Sequence, residues 1–316
     1  MESAQTPPGG GTREPDRLAG QFELLRPHLT SVAYSMLGSV SEAEDAVQES
    51  WLRLGRVDAD SIEDLRAWLT TVVGRICLDM LKARQARRED QAGMQLPEPL
   101  IAVPAADSPE NQAVIAESIG LALLIVLESL TPPERLAFVL HDIFAVPYGS
   151  IGQIMGRTPE SARQLASRGR RRVQAAPQPD PDLPGQRRAV EAFLTAARDG
   201  DFAGLLEVLA PDVVLRFDPG PGPVSPFEVT GTQAVIRHVL RTAPRFLPYA
   251  IPATVNGTPG ALYGSWDEPL GVVGFTVAHG KIAEIHVLSD QAKLRHVRLS
   301  FTPGERGPQD DGGGMT

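Results

Sequence analysis

The sequence predicts a multidomain chain in which two all-helical units precede an α+β domain. Three observations lead there. Helical periodicity fills residues 22–88 and resumes, after a break, up to 174. Two proline-rich stretches, "QLPEPLIAVPAADSPENQ" (95–112) and "AAPQPDPDLPGQ" (175–186), interrupt it, because proline at that density cannot continue a helix. Beyond the second break, alternating apolar runs appear beside helical ones. The expected boundaries are a disordered tail at 1–20, helical units at 21–90 and 113–175, linkers at 91–112 and 176–186, an α+β domain at 187–300, and a second tail at 301–316.

The chain has 316 residues, 42% of them hydrophobic, so it is large enough for several real cores. Its first twenty residues lack the apolar stretch of a signal peptide. The apolar run "IGLALLIVLESL" (119–130) is too short to span a bilayer and carries Glu128. A single cysteine, Cys77, excludes an internal disulfide framework, and no motif asks for a metal or cofactor. The expectation is a soluble cytoplasmic protein without a membrane partner.

In the first unit, "SEAEDAVQESWLRL" opens with Ser41 and Glu44 at capping-box spacing. Ala43, Ala46, Val47, Trp51 and Leu54 keep the helical period, which leaves Glu44, Asp45, Gln48 and Glu49 outside. The next helix, "LRAWLTTVVGRICLDMLKARQARRE", places Leu65, Trp68, Leu69, Val72, Ile76 and Met80 on its apolar stripe. Both Trp51 and Trp68 therefore read as core rather than as platforms for bases.

Formal net charge is −9, yet it is unevenly spread. Segment 41–49 holds four acids and no base, whereas 66–88 holds six bases (Arg66, Arg75, Lys82, Arg84, Arg87, Arg88) against Asp79. Part of the second bias suits a helix C-terminus. Residues 159–172 add five arginines against Glu160. Acidic and basic stripes on one chain imply two kinds of partner.

The last helical segment, "PYGSIGQIMGRTPESARQLASRGRRRV", has the turn chemistry of a helix-turn-helix. Gly156 suits a C-cap, Thr158 an N-cap and Pro159 the first helical position. Small residues Ala162, Ala166 and Gly169 allow a close helix crossing, while Ser161, Arg163, Gln164, Ser167, Arg168 and Arg171 face outward. Arginine suits guanine edges and glutamine adenine; Arg170 and Arg172 are better placed for phosphates. A solvated surface helix intersperses both signs, so this nearly unopposed charge favours DNA.

In the α+β domain, "RRAVEAFLTAARDGDFAGLLEVLAPDVVLRFD" gives two helices and a strand starting near Asp212. "GTQAVIRHVLRTA" gives another helix, and "LGVVGFTVAHGKIAEIHVLS" a hairpin turning at Gly280. Its polar candidates for catalysis are Asp212, Asp218, His238 and His286, and no spacing pairs them.

Segments "LRPHLTSVAYSMLGSVSEAEDAVQESWLRL", "RAWLTTVVGRICLDMLKARQARRE" and "LTPPERLAFVLHDIFAVPYGSIGQIMGRTPESARQLASRGRRRV" together resemble an extracytoplasmic-function (ECF) sigma factor across about 22–174. "LPEP" (96–99), "NGTPG" (256–260) and the C-terminal half resemble the sigma-J-like subgroup, which carries a fused SnoaL-like domain. The resemblance implies a sigma-2 helical bundle, a sigma-4 helix-turn-helix and a C-terminal α+β SnoaL/NTF2-like cone.

It also implies roles. Glu44, Asp45, Gln48 and Glu49 would contact the β′ clamp helices of core RNA polymerase. Arg75, Asp79, Lys82, Arg84, Arg87 and Arg88, with the loop near Asp60–Asp64, would serve the −10 element of promoter DNA. Ser161, Arg163, Gln164, Ser167, Arg168, Arg170 and Arg171 would read the −35 duplex. Leu96, Pro97, Glu98, Pro99, Lys293 and Leu294 would carry an intramolecular contact that replaces a separate anti-sigma partner. Three segments depart from the subgroup: "QLPEP" lacks an aromatic before Leu96, "DQAKL" stands for Asn-Pro-Asp-Lys-Leu, and "FDPGPGP" replaces an aspartate–glycine-rich run. The expected chain is not an enzyme. Two other readings stand beside it: a metabolite-responsive helix-turn-helix regulator, and an active enzyme tethered to DNA.

Overall fold

The computed structural model describes residues 14–58, 62–88, 95–102, 120–265 and 268–297. Most of the two expected tails, the start of the loop expected near Asp60–Asp64, most of the first expected linker and the start of the second expected helical unit lie outside these residues. The helices are α1 (Glu14–Leu37), α2 (Val40–Leu54), α3 (Leu65–Arg88), α4 (Leu121–Glu128), α5 (Pro132–Phe138), α6 (Tyr148–Met155), α7 (Pro159–Ala175), α8 (Leu183–Asp199), α9 (Phe202–Val208), α10 (Thr232–Thr242) and α11 (Gln291–Val297). The strands are β1 (Ile101–Ala102), β2 (Leu209–Asp218), β3 (Phe227–Thr230), β4 (Ala250–Val255), β5 (Thr258–Gly264), β6 (Pro269–Ala278) and β7 (Lys281–Leu288). They form two compact units, one drawn from residues 1–91 and 129–173, the other from 92–128 and 174–316.

In the first unit, α1, α2 and α3 bury Phe22, Leu29, Met36, Val47, Leu54, Leu69, Val73 and Cys77. Trp51 packs its ring 4.9 Å from that of Phe22, as a core residue does. Ser39, rather than Ser41, caps α2: its hydroxyl accepts from the Glu42 amide at 3.3 Å, because the helix begins at Val40 and leaves Ser41 inside the first turn. The most buried apolar residues of α3 are Leu69, Val73 and Cys77, followed by Leu78 and then by Ile76 and Leu81, so the stripe is broader than the expected one and displaced from it. The cause is a second neighbour. A Cβ on Gly74 would lie 3.1 Å from Leu140 and 3.6 Å from Ile154, so α3 also packs against the helix-turn-helix. A helix buried on two sides no longer follows a single stripe.

Thr131 and Glu134 form a capping box at the start of α5, which continues into a π-helical turn over Val139–Ile143. Gly156 ends α6 in the left-handed region (φ 64), and Thr158 Oγ accepts from the Ser161 amide at 3.2 Å. α7 buries Ala162, Leu165, Ala166 and Gly169. A Cβ on Gly169 would stand 3.0 Å from Phe138 Cβ, so the crossing depends on the missing side chain.

The second unit holds one mixed sheet in the order β1-β4-β5-β6-β7-β2-β3, with β2 and β7 parallel and the other pairs antiparallel. One face packs on α8, α9 and α10 through Phe193, Leu205, Val235, Phe275 and Ile285. The β6–β7 turn carries positive φ at His279 and Gly280, as the sequence predicts. The β4–β5 hairpin was missed, although Asn256 and Gly257 (φ 47 and 78) form the Asn-Gly turn that signals one. Asp180 bonds the His279 and Gly280 amides at 2.8 and 2.7 Å, which ties the second linker to the β6–β7 hairpin.

The opposite face is covered by the chain itself. Leu96, Ile101, Leu121 and Leu294 pack on Ala253, Val255, Leu262, Val272 and Leu288. Gly274 makes room for this cover, since a Cβ there would lie 2.5 Å from Leu121.

Gly169→Leu should destabilise the first unit by about 1–3 kcal/mol, the usual cost of overpacking a close contact. Thermal denaturation of the full chain reads this as a lower first transition; an unchanged melt would contradict the crossing described.

Candidate functional site

On α2, Glu44, Asp45 and Gln48 are exposed, while half-exposed Glu49 pairs with Arg53 at 2.9 Å. Leu52 continues this face one turn beyond Gln48 and is 49% exposed. The sequence reading missed it, though its spacing of four from Gln48 was available. An apolar side chain among acids makes this face suited to a protein partner.

On α3, Arg75, Asp79 and Lys82 are exposed at helical spacing on one face. Arg84 turns inward instead. Its guanidinium pairs with Glu42 and donates to the Leu37 carbonyl at 3.1 Å, joining α3 to the α1–α2 corner. Arg87 and Arg88 close the last turn of the helix.

On α7, Arg163, Gln164, Ser167, Arg168 and Arg171 line one shallow concavity of about 330 Å³. Ser161 is half-buried at the start of the same helix. Two acids hold several of the arginines. Glu134, only 5% exposed, accepts from Arg168 Nε at 2.8 Å and lies 3.4 Å from Arg172. Burial pushes its carboxyl up, but the hydrogen bonds from Arg168 and Thr131 and the Arg172 charge outweigh this and hold it below the usual range. Asp142 accepts from Arg170 at 2.8 and 2.5 Å and, with Tyr148, raises that guanidinium's pKa. The basic helix is thus a set of oriented guanidinium groups.

In the second unit the "LPEP" segment forms a strap. Leu96, Pro97, Glu98 and Pro99 are all buried. Asp218, 1% exposed, accepts from the Leu96 amide at 2.8 Å, from Lys293 Nζ at 2.8 Å and from the Gly220 amide at 3.0 Å. Lys293 also donates to the Leu96 carbonyl at 2.6 Å, and Leu294 is buried beside it. Farther on, Leu100 and Asn256 exchange hydrogen bonds of 3.0 and 2.7 Å, and β1 pairs with β4. The three segments that depart from the subgroup therefore still meet at one point. Asp218, a catalytic candidate by sequence, is instead the anchor of this strap.

The other candidates engage separate partners. Asp212 is exposed on β2. His238 lies edge-on to Phe227 at 5.2 Å, with its pKa lowered by burial and by Arg241. His286 is 2% exposed; Glu284 Oε2 lies 3.4 Å from its Nε2, and neither ring nitrogen makes a hydrogen bond. Burial outweighs the pull of Glu284 and keeps the imidazole below its ordinary pKa. Glu284, which the sequence reading missed, also accepts from Arg216 at 2.7 Å. Burial opposes its ionisation, but His286 and Arg216 bring it down to about 2.

The region 2 model of the sigma-70 family matches residues 21–87, and the region 4 model matches 121–173. The chain is 39% identical over 289 residues to the ECF RNA polymerase sigma factor SigJ of Mycobacterium tuberculosis, covering 87% of this chain and 92% of that protein. The chain belongs to the ECF RNA polymerase sigma factors. It is also 34% identical to the probable ECF RNA polymerase sigma factor SigI of M. tuberculosis, covering 92% of this sigma factor and 99% of that one. The crystal structure of M. tuberculosis SigJ has a TM-score of 0.72 and 36% identity to it, covering 87% and 97% of the two chains. Members of this family are transcription initiation factors. Among the described residues, no helix of this sigma factor is long and apolar enough to cross a membrane.

Two measurements follow from the second unit. Asp218→Ala leaves Lys293 and the Leu96 amide without their carboxylate, a loss of about 3–5 kcal/mol for a buried pair. Hydrogen exchange at Leu96 and Leu100 should accelerate; wild-type protection would contradict the strap. Acid should also destabilise this unit, because both shifted groups bind fewer protons when folded. The His286 contribution is lost as pH falls below about 6.5, and that of Glu284 between about 4.5 and about 2. Glu284→Gln should flatten the lower part of the stability–pH curve measured by denaturant unfolding; an unaltered slope would contradict the pairing.

Proposed function

We propose that this sigma factor engages core RNA polymerase through the outward face of α2, contacts the −10 element through α3 and reads the −35 duplex through α7. We also propose that its C-terminal domain restrains the sigma regions in place of a separate anti-sigma partner. One observation carries the regulatory reading. Residues 95–102 lie between region 2 and region 4 in the sequence, and α4 opens the stretch that region 4 matches, yet they are a strap, a strand and a helix of the C-terminal unit. Any change in the relative placement of the two promoter-contacting regions must work through a segment that this domain holds. Hydrogen bonds from Lys293 and to Asp218 make that hold specific rather than merely apolar.

In this reading the C-terminal domain is not an enzyme. Asp218 is committed to the strap, His286 is neutral and buried beside Glu284, and Phe193 and Phe275 fill the helix-facing core with rings 5.3 Å apart. A general acid–base pair needs groups that converge on open space.

Asp45→Arg and Leu52→Glu should each weaken capture of core RNA polymerase about tenfold or more, about 1.4 kcal/mol, without altering the melting temperature. Capture at wild-type affinity would remove α2 from the interface. Lys293→Ala should leave core binding intact and raise promoter-dependent run-off transcription at matched concentration. Equal run-off would remove the restraint.

A further inference from the structure

The arginines of α7 differ in what holds them. Arg168, Arg170 and Arg172 each have a carboxylate partner, Glu134 or Asp142, which occupies part of the guanidinium's donor set. Arg163 has no carboxylate partner among the described residues. Its guanidinium carbon lies 5.6 Å from the ring centroid of Tyr148, the first residue of α6. An aromatic face attracts the cation without accepting its N–H groups in the plane, so all five donors stay available.

The ring of Tyr148 is itself fixed. His141 stacks on it at 3.8 Å and 25° between planes. His141 Nδ1 lies 3.0 Å from the Val146 carbonyl, which can only accept, so Nδ1 carries the hydrogen and the imidazole is locked in orientation. The backbone around it is unusual: a π-helical turn at Val139–Ile143, then Ala145 at φ 55. Both are features that persist where the surroundings enforce them. Tyr148 also helps raise the pKa of Arg170, the guanidinium that Asp142 holds.

We infer that Tyr148 is a positioning residue for −35 recognition, holding Arg163 extended toward the base edges with its hydrogen-bond donors unspent. The inference rests on the proposed reading of α7. It makes specificity at the base pairs read by Arg163 depend on a residue outside the reading helix. A flexible arginine without the ring still carries its charge and reaches phosphates, so losing the ring removes discrimination and not attraction.

The test uses holoenzyme assembled from the full chain and core RNA polymerase, selecting active promoters from a library randomised across the −35 element. Arg163→Ala identifies the positions that Arg163 reads. Tyr148→Leu should flatten preference at those same positions by about two- to fivefold, the range of a partly exposed cation–π contact, and leave the other positions unchanged. Tyr148→Phe, which keeps the ring and loses the hydroxyl, should retain the wild-type profile. A Tyr148→Leu profile identical to wild type, or a uniform loss at every position, would overturn the positioning role. If Arg163→Ala flattens no position, the base-reading role of Arg163 itself fails, a result visible whatever Tyr148→Leu does.

Discussion

The carboxylate of Asp218 holds three distant segments of the chain at one buried point. It sits at the end of β2, receives the amide of Leu96 and meets the ammonium of Lys293. A charge this deeply buried is tolerable only with a partner of opposite sign and with its lone pairs satisfied. Lys293 supplies the first, and the Leu96 and Gly220 amides supply the second. Releasing the strap takes the Leu96 amide from this carboxylate and the Leu96 carbonyl from Lys293. The strap, α11 and the sheet are therefore coupled elements, and the apolar cover of the sheet's outer face depends on that coupling.

Under the proposed regulatory role, this coupling is how a C-terminal domain would act on the segment between two earlier domains. Leu96 and Asp218 are 122 residues apart, and Lys293 reaches back 197 residues to the Leu96 carbonyl. Segment 95–102 is extended because its prolines forbid helix, and an extended segment is suited to lie along a sheet edge. Proline density thus had a second meaning. It broke the helix, as the sequence reading holds, and it also left a stretch that another domain could incorporate.

What was legible in the sequence was local. The Gly156 C-cap, the Thr158 N-cap and the small face of α7 are short-range features, and the structure has them where expected. So is the β6–β7 turn. Cooperative features were less visible. The burial of α3 shifted because a second neighbour, contributed from residues 136–154, presses on Gly74. Arg84 looked like one more base on a basic stripe, but the α1–α2 corner presents an open carbonyl and Glu42 to it. His286 and Asp218 looked like potential catalysts, since buried polar residues in catalytic and structural roles have the same one-letter codes. Only their partners separate the two.

The pairing of arginines also resolves the contrast between a net charge of −9 and a strongly basic helix. Counting side chains overstates the field that α7 presents, since Glu134 and Asp142 neutralise part of it from the neighbouring α5 and the π turn. What remains is a few oriented guanidinium groups on a helix seated by Ala162, Ala166 and Gly169. Electrostatic affinity for DNA scales with the number of phosphates neutralised, and specificity with the geometry of the groups that reach base edges. In the proposed reading of α7, pairing some arginines and leaving others without a carboxylate would lower the first while preserving the second. That balance suits a protein delivered to promoters by a large partner, since a strong field of its own would hold it on any duplex.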